Sequence, residues 1–137
     1  MGKSFQILSL DGGGIKGLFS AAILAFLEKD HDITITDHFD LIVGTSTGGI
    51  IALGLGKGLR PREIVSFFIE DGRKIFPPGF LSEGIQYVKH KFDPQNLEYA
   101  LKDRFGETRL ADSIKPLVIP AYNMGEDGLK TEMLMQR

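Results

Sequence analysis

A glycine-bounded turn between two apolar runs constrains this chain more than any other feature. The turn, Gly44-Thr45-Ser46-Thr47-Gly48, follows a largely apolar run at 39–43 and precedes an apolar run at 50–53. This pattern predicts a strand, a tight turn and a helix, in that order. Glycines two residues before and after the serine let neighbouring backbone pass close by, so the turn presents the Ser46 hydroxyl at a helix N-terminus. Ser46 is therefore the candidate nucleophile.

Two interpretations of Ser46 are open at this point. In the first, the free N–H groups and the dipole of the helix stabilise the negative charge that develops when a carbonyl is attacked. In the second, Ser46 or Thr47 only caps a helix that follows a glycine-rich turn. A short motif decides between them only through its context.

A second glycine cluster lies upstream, at residues 11–17, between an alternating apolar segment at 5–10 and a predicted helix at 18–28. Consecutive glycines leave backbone N–H groups uncovered, and such a loop forms a concave nest for an anion. If two parallel strands bring this loop beside Ser46, the amides of Gly12, Gly13 and Gly14, with that of Thr47, form an oxyanion hole.

The same loop also fits a dinucleotide-binding site, because Gly12, Gly14 and Gly17 spell the GxGxxG pattern after a strand. That site needs an acidic residue about twenty positions further on, at the tip of the second strand. Three aspartates lie in that part of the chain, at positions 30, 32 and 37, but the second predicted strand ends in the glycine-bounded turn. A P-loop is excluded, since Leu18 stands where the phosphate-binding lysine belongs.

Taken together, the two motifs resemble those of the patatin-like phospholipase family. Residues 11–17 look like its oxyanion loop, and residues 44–49, which include Gly44 and Gly48, look like its nucleophile elbow. The resemblance extends from Phe5 to Tyr122. It implies a three-layer α/β/α fold with a mainly parallel sheet. It also implies a serine acyl hydrolase that acts on lipid or phospholipid esters without a metal or an organic cofactor, using a Ser-Asp dyad.

The aspartate of that dyad belongs to a downstream Asp-Gly-Gly or Asp-Gly-Ala motif, and here the chain departs from the family. Asp127-Gly128 is followed by Leu129 and fits a turn between two strands. Asp71-Gly72 fits a helix end with glycine just past the last turn. The alternating segment from Leu129 onward looks like an unfinished strand. We therefore expect residues 1–137 to be the N-terminal portion of a patatin-like domain, weak or inactive alone, with the catalytic aspartate beyond Arg137.

A Ser-His-Asp triad is a weaker alternative. In α/β-hydrolases the histidine comes last in chain order, which excludes His31 and His38. His90 follows Ser46 but lies in a basic stretch that is typical of a solvated surface. A third class of function, an inactive binding or regulatory domain that keeps the fold, is compatible with the same sequence.

The composition of the chain limits which kinds of partner and which location we expect for it. A net charge of −2 gives no electrostatic case for binding nucleic acid, which normally requires a basic face, and the absence of cysteine excludes a disulfide framework and a thiol nucleophile. No apolar run reaches the roughly 20 residues that span a bilayer, so we expect membrane contact to be peripheral. Without a charged and apolar leader, the N-terminus predicts a cytoplasmic protein. The sequence does not indicate an oligomeric state.

The rest of the chain alternates predicted helices and strands. An amphipathic helix is expected at 61–70. A Pro-Gly break follows at 76–81, where the apolar neighbours form either a lid or buried anchors of the loop. A helix capped by Asp93 is expected from Pro94 to near Gly106, and a strand at 116–122. Such alternation predicts a parallel sheet with helices on both faces. Ligands of such sheets bind at the carboxyl ends of the strands, where both glycine motifs lie.

Overall fold

The computed structural model describes residues 2, 4–75, 94–123 and 130–135. Its strands are β1 (Ile7–Leu10), β2 (Leu41–Gly44), β3 (Leu117–Asn123) and β4 (Lys130–Met135). Its α-helices are α1 (Gly17–His31), α2 (Thr47–Gly56), α3 (Pro61–Ile75) and α4 (Pro94–Phe105). Short 3-10 helices occupy Gly14–Lys16, Ile35–His38 and Leu110–Asp112.

The four described strands form one mainly parallel sheet in the order β1-β2-β3-β4. Strands β1, β2 and β3 are parallel, and β4 pairs antiparallel with β3. The α/β class predicted from the sequence is therefore confirmed. The antiparallel β3–β4 pair agrees with the predicted hairpin, whose turn lies outside the described residues together with Asp127.

Helix α2 covers the centre of the sheet, where it contacts β1, β2 and β3. Right-handed connections that progress in one direction along a sheet place their helices on the same face. Burial agrees, because Ile42 is fully buried on the α2 side whereas Ile7, on the opposite face, is 53% exposed. The second helical layer predicted from the sequence is not among the described residues.

The core lies between this sheet face and the helices α1, α2 and α3. Its largest fully buried apolar side chains come from β2, β3, α2 and α3: Ile42, Leu117, Ile51, Leu55, Ile64, Phe68 and Ile75. Helix α3 has the strongly one-sided apolar pattern expected of a surface helix, and it packs on α1. These contacts hold α2, and with it the turn that precedes it, in a fixed position on the sheet.

The prediction that helix α3 ends at Asp71-Gly72 is wrong. The helix continues to Ile75, and Gly72 is buried inside it. A Cβ atom at Gly72 would lie 2.8 Å from Cδ1 of Ile15. Gly72 therefore lies against the Ile15 side chain within a helix that continues past it, whereas the sequence pattern suggested a C-terminal cap.

Helix α1 ends at His31, and its C-cap residue Asp32 adopts a left-handed conformation (φ 52°) and donates its backbone N–H to the Glu28 carbonyl. The Glu28 side chain is buried and accepts hydrogen bonds from the Ile35 amide at 2.8 Å and from Nε of Arg60 at 2.9 Å. One carboxylate thus connects the end of α1 to the start of α3.

Several sequence predictions fall outside the described residues: the break at 76–81, the cap Asp93, and His90. Helix α4 begins at Pro94 and ends at Phe105, as predicted. Within the described part of the chain, no helix combines the length and the apolar character needed to cross a membrane.

Candidate active site

The two glycine motifs begin at the same edge of the sheet. Leu10, the last residue of β1, is in register with Gly44, the last residue of β2. The Thr45 amide donates to the Leu10 carbonyl at 3.2 Å, which extends the strand pairing by one residue. Because the strands are parallel, both turns leave the sheet at its carboxyl edge, where α/β proteins bind ligands.

Ser46 has the strained backbone expected of a serine at a strand-to-helix turn. Its φ is 52° and its ψ is −123°, a conformation that side-chain-bearing residues rarely adopt. It occupies the N-cap position of α2, yet its side chain makes no capping hydrogen bond. The residue is exposed, and its hydroxyl has no hydrogen-bond partner among the described residues. Because its side chain makes no capping hydrogen bond, the helix-cap interpretation does not account for Ser46. Backbone strain of this kind persists only where the surrounding structure enforces it.

The glycines on either side of Ser46 are required by close backbone contacts. A Cβ atom at Gly44 would overlap the carbonyl oxygen of Gly48, and one at Gly48 would overlap the carbonyl oxygen of Leu10. Both neighbours are backbone atoms of packed elements, which cannot rotate away as a side chain can. The two glycines thus bring the start of α2 directly against the ends of β1 and β2.

The upstream glycine loop lies against Ser46. A Cβ atom at Gly12 would be 2.8 Å from the Cβ of Ser46, so the Gly12 backbone packs on the serine side chain itself. The loop then turns through a 3-10 helix that begins at Gly14 (φ 58°), and the Lys16 amide donates to the Gly13 carbonyl at 3.2 Å. The structure thus brings together the two motifs that the sequence analysis singled out.

Two threonine side chains connect the loop to the turn. The Gly12 amide donates to Oγ1 of Thr45 at 3.1 Å, and the Gly13 amide donates to Oγ1 of Thr47 at 3.2 Å. Thr47 is fully buried. From the sequence, only the Thr47 amide was predicted to belong to the site, and Thr45 had no predicted role. The sequence does contain an indication of this role, because the uncovered amides of a glycine loop need acceptors and a threonine hydroxyl lies on each side of the serine.

Neither described histidine is placed as a catalytic base. His31 lies at the far end of α1, 15 residues long, and its Nε2 is 3.8 Å from Asp30. At 1.5 Å per residue, that end is about 22 Å from the glycine loop. His38 is exposed and lies before β2, at the opposite end of that strand from Ser46.

Asp71, the acid of the other downstream Asp-Gly pair, is engaged by an arginine. Asp71 lies 3.8 Å from the Arg104 guanidinium, which also pairs with Glu70. A cavity of about 250 Å³ beside these residues is formed by α2, α3 and α4, and neither the Ser46 turn nor the glycine loop contributes to its lining. The polar groups that hydrogen bonds place between the glycine loop and the Ser46 turn are backbone amides and threonine hydroxyls.

Comparison with known proteins places this geometry in a family. The family model for patatin-like phospholipases matches residues 8–133. Patatin-17 of Solanum cardiophyllum is 35% identical over an alignment of 138 residues, gaps included, which spans 90% of this chain and 34% of that protein. A cGAMP-activated phospholipase of Pseudomonas aeruginosa is 37% identical over 122 residues, covering 88% of this chain and 37% of that protein.

Not every similar protein is described as active. A protein of Solanum tuberosum described as a probable inactive patatin is 33% identical over 138 residues, covering 90% of this chain and 36% of its own length. The chain thus spans about a third of the length of these relatives. With a family match across nearly all its residues, and with both glycine motifs meeting at one sheet edge, the chain belongs to the patatin-like phospholipase family.

Proposed function

We propose that this chain carries the nucleophile and the oxyanion loop of a serine-dependent lipid acyl hydrolase. Ser46 attacks the ester carbonyl carbon, and the resulting oxyanion is stabilised by the Thr47 amide and by the glycine loop, whose candidate donors are the amides of Gly12, Gly13 and Gly14. The observation that carries the proposal is the strained, uncapped Ser46 (φ 52°) with the Gly12 backbone packed against its side chain.

The proposed reaction has two steps. In the first, the Ser46 Oγ–C bond forms and the serine proton passes to a base; the ester C–O bond then breaks, the base gives that proton to the departing alcohol, and an acyl-serine remains. In the second, water attacks the acyl carbon and gives a proton to the base; the Oγ–C bond breaks, the base returns the proton to Ser46, and the fatty acid leaves. The proposed base is an aspartate outside the described residues, beyond Arg137 or, as the less favoured candidate, Asp127. Because a serine hydroxyl is a weak nucleophile without a base, residues 1–137 alone should hydrolyse esters slowly.

An exposed apolar stripe on α1 supports peripheral contact with the lipid phase. Phe19, Ile23 and Phe26 recur at helical spacing and are 71%, 44% and 63% exposed. The stripe begins at Phe19, two residues after Gly17, on the helix that directly follows the glycine loop. We expect Phe19→Ser/Phe26→Ser to reduce co-sedimentation with phosphatidylcholine vesicles. Tyr99→Ser, at an exposed aromatic residue of α4, is the matched control.

The test of the nucleophile compares two serines in the full-length protein. Ser46→Ala should abolish hydrolysis of short-chain p-nitrophenyl esters, whereas Ser66→Ala, on the exposed face of α3, should leave it unchanged. Equal activity of the unsubstituted and Ser46→Ala proteins would end the assignment. If a fluorophosphonate leaves Ser46 unlabelled in the full-length protein, the third class, an inactive binding or regulatory domain, is the better account.

The nucleotide-binding alternative has its own discriminating measurement. It predicts a rise in melting temperature when NAD or ATP is added, because a ligand that binds only the folded state stabilises it. The hydrolase account predicts no shift with either compound.

A further inference from the structure

We propose that Thr47 is a positioning residue whose hydroxyl fixes the glycine loop at the distance from Ser46 that oxyanion stabilisation requires. This inference rests on the proposed function and deepens it. The observation is the hydrogen bond from the Gly13 amide to Oγ1 of Thr47 at 3.2 Å, made by the residue that directly follows the nucleophile.

Burial makes this hydrogen bond different from the one next to it. Thr47 is 0% exposed, and its Cβ and Oγ1 contact Gly17, where an added Cβ atom would lie 2.8 Å and 2.9 Å away. The threonine side chain is therefore enclosed between the loop and α1. Thr45 is exposed, so water can replace its hydroxyl as the acceptor for the Gly12 amide. Loss of the Thr47 hydroxyl leaves the Gly13 amide without an acceptor in a partly buried place.

The arrangement divides the loop amides into two groups. The Gly12 and Gly13 amides are engaged by threonine hydroxyls. Gly14 is buried and adopts a positive φ of 58°, and no hydrogen bond from its amide is found among the described residues. The Thr47 amide belongs to the first turn of α2, where helical N–H groups have no intrahelical partner. We therefore assign oxyanion donation to the Gly14 and Thr47 amides and loop positioning to the other two.

The experiment compares Thr47→Val, which keeps the branched shape and removes the hydroxyl, with Thr47→Ser, which keeps the hydroxyl. In the full-length protein, Thr47→Val should lower kcat for a short-chain ester by about tenfold to a hundredfold with little change in KM, because a misplaced group costs about that much. Thr47→Ser should recover most of the loss. Thr45→Val should lower kcat by less than about threefold, since water replaces its hydroxyl.

An unchanged or increased kcat in Thr47→Val would overturn the inference. An increase would mean that the Gly13 amide is itself an oxyanion donor and that the Thr47 hydroxyl competes for it. Failure of the proposed function is distinguishable, because Ser46→Ala would then retain activity whatever the Thr47 variants do.

A measurement on the unsubstituted protein keeps the inference testable if Thr47→Val does not fold. Amide hydrogen exchange followed by NMR should be slower at Gly13, whose acceptor is the buried Thr47 hydroxyl, than at Gly12, whose acceptor Thr45 is exposed. Equal exchange at the two glycines would contradict the assignment.

Discussion

Replacing Gly48 with alanine tests whether close packing of α2 on β1 positions the site. A Cβ atom at Gly48 would overlap the Leu10 carbonyl oxygen and lie 2.7 Å from its carbonyl carbon and 2.9 Å from the Asp11 carbonyl oxygen. Ordinary contact begins near 3.4 Å, so the end of β1 must retreat from α2 by at least 0.7 Å, the difference between 3.4 Å and 2.7 Å. The glycine loop begins at the next residues and must move with it.

Two effects of opposite sign set the expected magnitude. Alanine stabilises a helix relative to glycine by about 0.5–1 kcal/mol. Overpacking against a rigid neighbour costs about 1–3 kcal/mol, so Gly48→Ala should lower the free energy of unfolding by about 1–2 kcal/mol. The effect on catalysis should be larger. A displacement approaching 1 Å at the reacting groups costs up to about a hundredfold in rate, and we expect a loss of kcat of at least about tenfold.

Gly54→Ala, in the same helix, is the matched control. An added Cβ atom there meets Cδ1 of Ile64 at 2.9 Å and Cγ1 at 3.1 Å, and Ile64 borders the cavity of about 250 Å³ into which its side chain can shift. In the full-length protein, Gly54→Ala should therefore lose less stability in urea unfolding, and less kcat in ester hydrolysis, than Gly48→Ala. Equal activity of Gly48→Ala and the unsubstituted protein would refute the reasoning that backbone contact at this glycine sets the site geometry.

Three further predictions concern stability. Glu28→Ala should lower the free energy of unfolding by about 2–3 kcal/mol in urea denaturation, because the buried Ile35 amide loses its acceptor; a loss below about 0.5 kcal/mol would contradict this. Phe68→Ala removes a side chain that is 1% exposed and should cost about 3–5 kcal/mol by the same assay. The hydrogen bond from Lys102 lowers the pKa of Glu98 below its ordinary value. The pair therefore stabilises α4 fully at pH values above the ordinary glutamate pKa, and this stabilisation is lost as the pH falls through the lowered pKa. Glu98→Gln should flatten that acid-side loss of helicity in circular dichroism, and an unchanged pH profile would argue against the pair.

Much of the fold follows from local patterns that the sequence states directly. Pro94 at a first helical position predicts the start of α4, and the apolar run before Gly44 predicts β2 to within two residues of its start. The juxtaposition of the two glycine motifs was also predictable. Parallel strands of similar length end at the same edge, and each motif directly follows a strand.

Other features depend on contacts between distant parts of the chain. Gly72 looks like a helix end in sequence, but its close approach to Ile15 exists only once α3 packs near the glycine loop. The hydrogen bonds from the Gly12 and Gly13 amides to the threonine hydroxyls join residues 33 and 34 positions apart. Local pattern indicates that bare amides need acceptors, and only the folded register indicates which hydroxyls provide them.

The central claim is that the glycine loop and the start of α2 direct backbone amides at the atom attached to Ser46. A crystal structure of the full-length protein after reaction with a fluorophosphonate tests it most directly. We predict a phosphonyl group on Oγ of Ser46, with its free oxygen about 3 Å from the amide nitrogens of Gly14 and Thr47. An adduct on another residue, or a Ser46 adduct whose oxygen faces solvent away from both amides, would contradict the account.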